Sequence, residues 1–272
     1  MRLDGLSGDR HGGIVAGFLE EQRGAARFLT LHRPAQRNAL TPEVVAALRQ
    51  ALARADADPA ARVVCLTGSG EQAFCAGADL GRLEESGGAP AAHEAGRGYA
   101  ALLLDLARLG KPVVACVNGS AFGGGLGLVA ACDLAVAADD ARFGTPEIDL
   151  GLFPYMALAP LQRVVGRRAA LELALTGRRI DAAEAVRIGL LNAAVPRGQL
   201  AGRIEAICGA LSGKSPAVLR QGRRAFYATQ DLPYEQQLEA LAAQLSLNTL
   251  LEDAAEGVSA FLAKRAPEWK GR

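Results

Sequence analysis

One glycine cluster and one carboxylate carry most of the chemistry legible in this sequence. In Gly123-Gly124-Gly125-Leu126-Gly127-Leu128-Val129-Ala130, three successive glycines follow a buried-strand pattern and let a ligand approach bare backbone. The N–H groups that open the helix predicted at 124–132 then favour negative charge on that ligand. The charge is a phosphate or a transient oxyanion. The turn Phe74-Cys75-Ala76-Gly77-Ala78-Asp79 also follows a strand and offers small residues with N–H groups. Two such donors on one oxygen make an oxyanion hole, where each is worth ~2.7–4 kcal/mol in a transition state. The carboxylate is Glu147, directly after Pro146. Its neighbours Ile148, Leu150, Leu152 and Phe153 predict an apolar pocket that raises its pKa and suits a base.

Other chemistries lack their residues. Gly125, Gly127 and Ala130 fit the dinucleotide pattern GxGxxA, but Cys132-Asp133 interrupts the helix and a strand begins at once, leaving no crossover helix of the required length. His11, His32 and His93 have no metal-ligand spacing, there is no GxSxG elbow, and Cys65, Cys75, Cys116, Cys132 and Cys208 form no CxxC. No metal site is expected, and the cysteines fit a reducing compartment. Lys plus Arg number 30 and Asp plus Glu 29, a net charge of +1, which gives no field for gripping nucleic acid or anionic lipid. The start of the chain has no long apolar core, and no apolar stretch reaches the ~18 residues of a membrane span. A cytoplasmic protein is expected, with residues 1–12 loose.

The elements that must position these groups alternate in type over 272 residues. Strands are expected at 13–21 and 26–31 around a Gln22-Arg23-Gly24 turn. A helix then starts with Thr41 as cap and Pro42 in its first turn, and runs to about Ala55 on an apolar face of Val44, Val45, Leu48 and Leu52. Buried-strand patterns at 62–67, 112–117, 134–137 and 192–195 are separated by helical ones, which predicts β/α layering with mostly parallel strands. The run Gly87-Gly88-Ala89-Pro90-Ala91-Ala92 reads as a mobile loop. From about Gly198 the pattern is helical only, at 204–211, 215–227, 234–251 and 254–264. The expected division is thus a β/α core over 1–197 and a helical region over 198–272.

Four runs in this order, RPAQRNALT (33–41), AFCAGADL (73–80), GKPVVACVNGSAFGGGLGL (110–128) and FGTPEIDLGLFP (143–154), with FLAKRAPEWKG (261–271) at the end, resemble the crotonase family of enoyl-CoA hydratases and isomerases. The resemblance covers nearly the whole chain and implies an α/β fold with a ββα spiral core followed by C-terminal helices. It implies that the Ala76 and Gly124 N–H groups hold the thioester oxygen of an acyl-CoA. The coenzyme A moiety would lie along Arg37, Asn38, Ala39, Leu40 and along Ala76, Gly77, Ala78, Asp79 and Leu80. Phe261 and Lys264 would reach the coenzyme A of a neighbouring subunit in a trimer or a hexamer of paired trimers. Coenzyme A enters as part of the substrate, and no further cofactor is implied.

The sequence departs from the family at one position. Family hydratases use two glutamates; Glu147 matches the second, and Gly127 stands where the first belongs. Moving a double bond needs only one carboxylate that takes a proton from C2 and returns it at C4, whereas hydration must also activate water. Double-bond isomerisation with Glu147 as single acid/base is therefore the expected activity, with hydratase the alternative. A non-catalytic acyl-CoA-binding protein is the reading from another class, and the retained Glu147 counts against it. Asp149 and Tyr155 are further candidates for the missing group, and Asp133 reads as a structural residue at a helix end.

Overall fold

The computed structural model describes residues 17–79, 81 and 88–272. Six strands, β1 (Phe18–Arg23), β2 (Ala26–Leu31), β3 (Val63–Gly68), β5 (Val113–Val117), β7 (Leu134–Ala138) and β10 (Ala193–Val195), form one sheet in that spatial order. β1 and β2 pair antiparallel, and the remaining pairs are parallel. Four short strands, β4 (Ala73–Cys75), β6 (Ser120–Phe122), β8 (Arg142–Gly144) and β9 (Ile180–Asp181), form a second sheet. In three successive turns, from β3 to β8, the chain places one strand in each sheet and then a helix, which is the ββα spiral that the resemblance implies. The second sheet escaped sequence analysis because strands of two or three residues are too short to show a period.

Parallel strands covered on both faces read as nearly continuous apolar runs, and VVACV, LAVAA and, but for Thr67, VVCLTG are such runs. Their period of two sends Val64 and Leu66 to one face and Val63 and Cys65 to the other. On the first face lie α1 (Pro42–Ala57), α2 (Ala89–Arg108) and α3 (Gly124–Ala131). On the second lies α6 (Arg197–Ser212), which buries Leu200, Ile204 and Cys208 against the sheet. The boundary expected at 198 thus falls in the first turn of a helix that completes the core.

Thr41 caps α1 by accepting from Val44 N at 3.3 Å, and Pro42 sits in the first turn, as the sequence predicts. Two expectations are corrected. The first hairpin turns at Gly24-Ala25 rather than at residues 22–24, because β1 runs on to Arg23 and pairs it with Ala26. The run read as a mobile loop is instead the start of α2. Gly88 precedes the helix with φ +76, Pro90 fits its first turn, and Tyr99, Leu102 and Leu106 bury its far half. Residues 1–16, the first part of the expected first strand, and Gly87 lie outside the described residues.

The tail comprises α7 (Pro216–Thr229), α8 (Tyr234–Asn248) and α9 (Glu252–Leu262), following α4 (Tyr155–Thr176), α5 (Ala182–Arg187) and α6 in the chain. One part-buried cluster fastens α7. Asp133 accepts from Val113 N, from Arg223 Nε and from Tyr227 Oη, each at 2.7 Å. The Arg223 guanidinium also donates to the carbonyls of Leu106, Ala107 and Leu109 at the end of α2. Asp133 is structural, as expected. No residue of α8 is buried.

Candidate active site

Three turns meet at one end of the parallel strands. The first carries Arg37 and Asn38, both left-handed at φ +51 and +57. Asn38 is buried and fastens the turn. It accepts from Arg33 N at 3.0 Å and donates to the carbonyls of Ser69 at 3.0 Å and Ala73 at 2.7 Å. The second turn, 76–79, runs beside the first. Leu40 N donates to Gly77 O at 2.7 Å, Asp79 N to Leu40 O at 3.0 Å, and Ala76 N to Arg37 O at 3.0 Å. The N–H of Ala76 is therefore taken up by the protein itself. The N–H of Ala78, at the exposed tip of the same turn, meets no acceptor among the described residues.

The third turn leads from β6 into α3. Gly123 at φ +53 makes the corner, and Gly123 N donates to Gly144 O at 3.0 Å. The Gly124 N–H, first of the helix, meets no acceptor among the described residues. Gly77 joins the second and third turns. It has φ +92, and a Cβ there would stand 3.0 Å from Phe122 O and 3.2 Å from Gly124 N. Glycine is thus required at 77 both by its backbone angle and by the close approach. Because Gly77 bears the peptide bond to Ala78, the free N–H groups of Ala78 and Gly124 lie close together.

Glu147 rides on a short 3-10 turn, Pro146–Leu150. A Cβ on Gly123 would lie 2.6 Å from Glu147 Oε1, which places the carboxylate against the corner of the third turn. Oε2 is buried without a hydrogen-bond partner, and burial pushes the carboxyl above its usual range. The cause of that burial differs from the expected one. Ile148, Leu150 and Leu152 are 37%, 58% and 47% exposed and Phe153 is half-buried, so three of the four side chains expected to wall the pocket are open to solvent, while the carboxylate itself lies against the Gly123 corner.

Gly127 points away from open space. A Cβ there would stand 2.6 Å from Tyr99 Oη and 3.0 Å from Ala157 Cα, so the position that the resemblance assigns to a second glutamate lies at the contact of α3 with α2 and α4. Tyr99 is 9% exposed, and its hydroxyl donates to Gly124 O at 2.5 Å. Burial, with smaller contributions from Cys75 and Glu147, raises the phenol well above its ordinary pKa and keeps it a neutral donor. Sequence reasoning missed Tyr99. The available signal was its place at i of the i, i+3, i+7 stripe that continues as Leu102 and Leu106, where it is the one member with a polar end.

The remaining expected residues are placed as follows. Arg37 is exposed and Ala39 buried, and Asp79 forms a part-buried ion pair with Arg33 at 2.9 Å. Leu80 lies outside the described residues. Phe261 is 82% exposed and Lys264 is exposed and left-handed at φ +51, and no hydrogen bond or ion pair joins either to the three turns among the described residues. Asp149 is exposed with its carboxylate beside Gly177, and Tyr155 is 76% exposed with its ring against Phe153. Among the described residues, no group of three or more His, Cys, Asp or Glu is arranged to hold a metal ion.

A family model described as enoyl-CoA hydratase/isomerase matches residues 21–272. The chain is 36% identical over 93% of its length to the full length of a putative enoyl-CoA hydratase from Thermus thermophilus. It is 35% identical over 92% of its length to a carnitinyl-CoA dehydratase from Proteus mirabilis, of which 97% is covered. Among solved structures, an enoyl-CoA hydratase from Mycobacterium smegmatis superposes with a TM-score of 0.90 at 36% identity, covering 94% of this chain and 99% of that one.

Proposed function

The chain belongs to the enoyl-CoA hydratase/isomerase family, and from that premise we propose that it moves the double bond of an enoyl-CoA with Glu147 as its single acid/base. The observation that carries this reading is the orphaned Oε2 of Glu147, buried beside two N–H groups that have no acceptor of their own. The donors are taken to be Ala78 and Gly124, since the Ala76 N–H already serves Arg37. In a 3-enoyl-CoA the Glu147 carboxylate takes a proton from C2, and the electron pair moves onto the thioester oxygen between the two donors. The dienolate collapses, C4 receives the proton back from Glu147, and a 2-enoyl-CoA leaves with the same atoms that entered. The balance needs no cofactor beyond the substrate's own coenzyme A, for which the paired segments 37–40 and 76–79 would form the seat.

The second reading, hydration of a 2-enoyl-CoA, is supported by the names of the Thermus and Mycobacterium relatives and by the dehydratase from Proteus. Against it stands the Gly127 position, which carries no carboxylate and where a Cβ would already crowd Tyr99 Oη and Ala157 Cα. Mass analysis of the products from a panel of 2-enoyl- and 3-enoyl-CoA esters separates the two. Isomerisation leaves the mass unchanged and shifts the double bond, and a gain of one water from the 2-enoyl esters as the dominant product would reverse the ranking.

The reading extends to assembly. Leu245, Leu250 and Phe261 are 68%, 79% and 82% exposed on the tail, an apolar surface of the kind that a neighbouring subunit covers. In a trimer or a hexamer of paired trimers, Phe261 and Lys264 would meet the coenzyme A of the adjacent subunit, the Lys264 ammonium against a phosphate.

A further inference from the structure

The first turn of α3 is an unusual place to build a rigid donor. Gly123-Gly124-Gly125 loses more conformational freedom on ordering than any other triplet and has no side chains to hold it. Preorganisation of the donor is nevertheless what makes an oxyanion hole effective. Two hydrogen bonds from outside α3 fall on this triplet among the described residues: the one from Gly123 N to Gly144 O, and the one from Tyr99 Oη to Gly124 O. The second acts on the helical turn itself, and its donor is brought from α2 through the space that a side chain at Gly127 would occupy.

We propose that Tyr99 is a positioning residue for the oxyanion hole, its hydroxyl pinning Gly124 and Gly127 keeping open the space that the hydroxyl needs. The proposal rests on the enolate reading above and deepens it. In this arrangement a neutral donor stands where family hydratases place an acid, and it acts on the backbone rather than on the reacting carbons. The pair is exclusive, since a Cβ at residue 127 and the hydroxyl at residue 99 would be 2.6 Å apart. Tyr99 therefore differs from a core aromatic, for which phenylalanine would be an equal filler.

Tyr99→Phe removes the pin and keeps the ring. With a 3-enoyl-CoA, kcat should fall about tenfold to a hundredfold, less than complete loss of an oxyanion donor produces, while KM and the thermal midpoint stay near wild type. A second readout is independent of turnover. Infrared difference spectra of bound butanoyl-CoA, labelled with carbon-13 at the thioester carbonyl, should show a red-shifted stretch in the wild type and in Glu147→Gln, and a smaller shift in Tyr99→Phe. Gly127→Ala crowds the hydroxyl from the other side and should reproduce both losses, and adding it to Tyr99→Phe should cost little more in kcat. A Tyr99→Phe enzyme with wild-type kcat and an unchanged carbonyl band overturns the proposal, as does a loss of kcat that only tracks a fall in thermal midpoint. If the wild type neither turns over an enoyl-CoA nor shifts the carbonyl band, the enolate reading itself falls and takes this one with it. That outcome is distinct from a wild-type shift that Tyr99→Phe leaves intact.

Discussion

Glu147 is held where its charge is poorly served. Burial raises its pKa and Oε2 has no partner, so between the ordinary carboxylate value and the raised one the folded chain holds a proton that the unfolded chain has released. The stability this provides is full below the unfolded pKa and is lost as pH rises through the folded one. Glu147→Gln should therefore raise the thermal midpoint at about pH 8, with the gain shrinking to nothing near pH 4, while abolishing isomerisation and retaining acyl-CoA binding. Thermal scans across pH, beside turnover and binding assays, check all three. In the wild type, turnover should rise with pH through that same raised pKa, because the base must be ionised. Glu147 and Gly124 were legible in the sequence because a carboxylate in an apolar run and a triple glycine are rare enough to stand out. Tyr99 was not, since it sits far off in the chain, 25 residues before its partner. The free amide at 78 rather than 76 was hidden for a different reason: only the pairing of the 37–40 and 76–79 segments decides which N–H is already engaged.

The contact of α3 with α2 and α4 makes a second kind of prediction at the level of elements. Gly127→Glu, which by motif alone would restore a hydratase acid, meets Tyr99 Oη and the backbone of Ala157 instead. It should lower stability, typically by ~1–3 kcal/mol and more if the buried carboxylate stays ionised, without adding hydration. Denaturant unfolding and the product-mass assay test it. Asn38→Ala should cost about 1–3 kcal/mol, because the carbonyls of Ser69 and Ala73 and the N–H of Arg33 lose their partner in a buried turn, and turnover should fall with it. Parallel strands and capped helices were readable because runs such as VVACV and the Thr41-Pro42 start state their own structure. The residues from Gly88 onward misled because their small side chains suit a loop and the start of a helix equally, and α2 declares itself only in its buried second half.

The tail sets the expectation for the whole molecule. Light scattering should give a mass several times that of one chain, and Leu245→Glu with Leu250→Glu should lower it, placing charge on the apolar face that a neighbour would cover in the proposed assembly; a monomeric wild type would refute the assembly. The large sheet has a further property. Its spatial order is also the order of the chain, each strand joining at the edge left by the one before, from β1 to β10. A polypeptide emerging from the ribosome can therefore extend the sheet strand by strand with no need to insert a late strand between two early ones. Growth stops at β10, which has three residues and is followed by Pro196, whose missing N–H cannot continue the ladder. Before that stop each nascent edge is an open template, so stalling or truncation between β5 and β10 should yield the species most prone to aggregate.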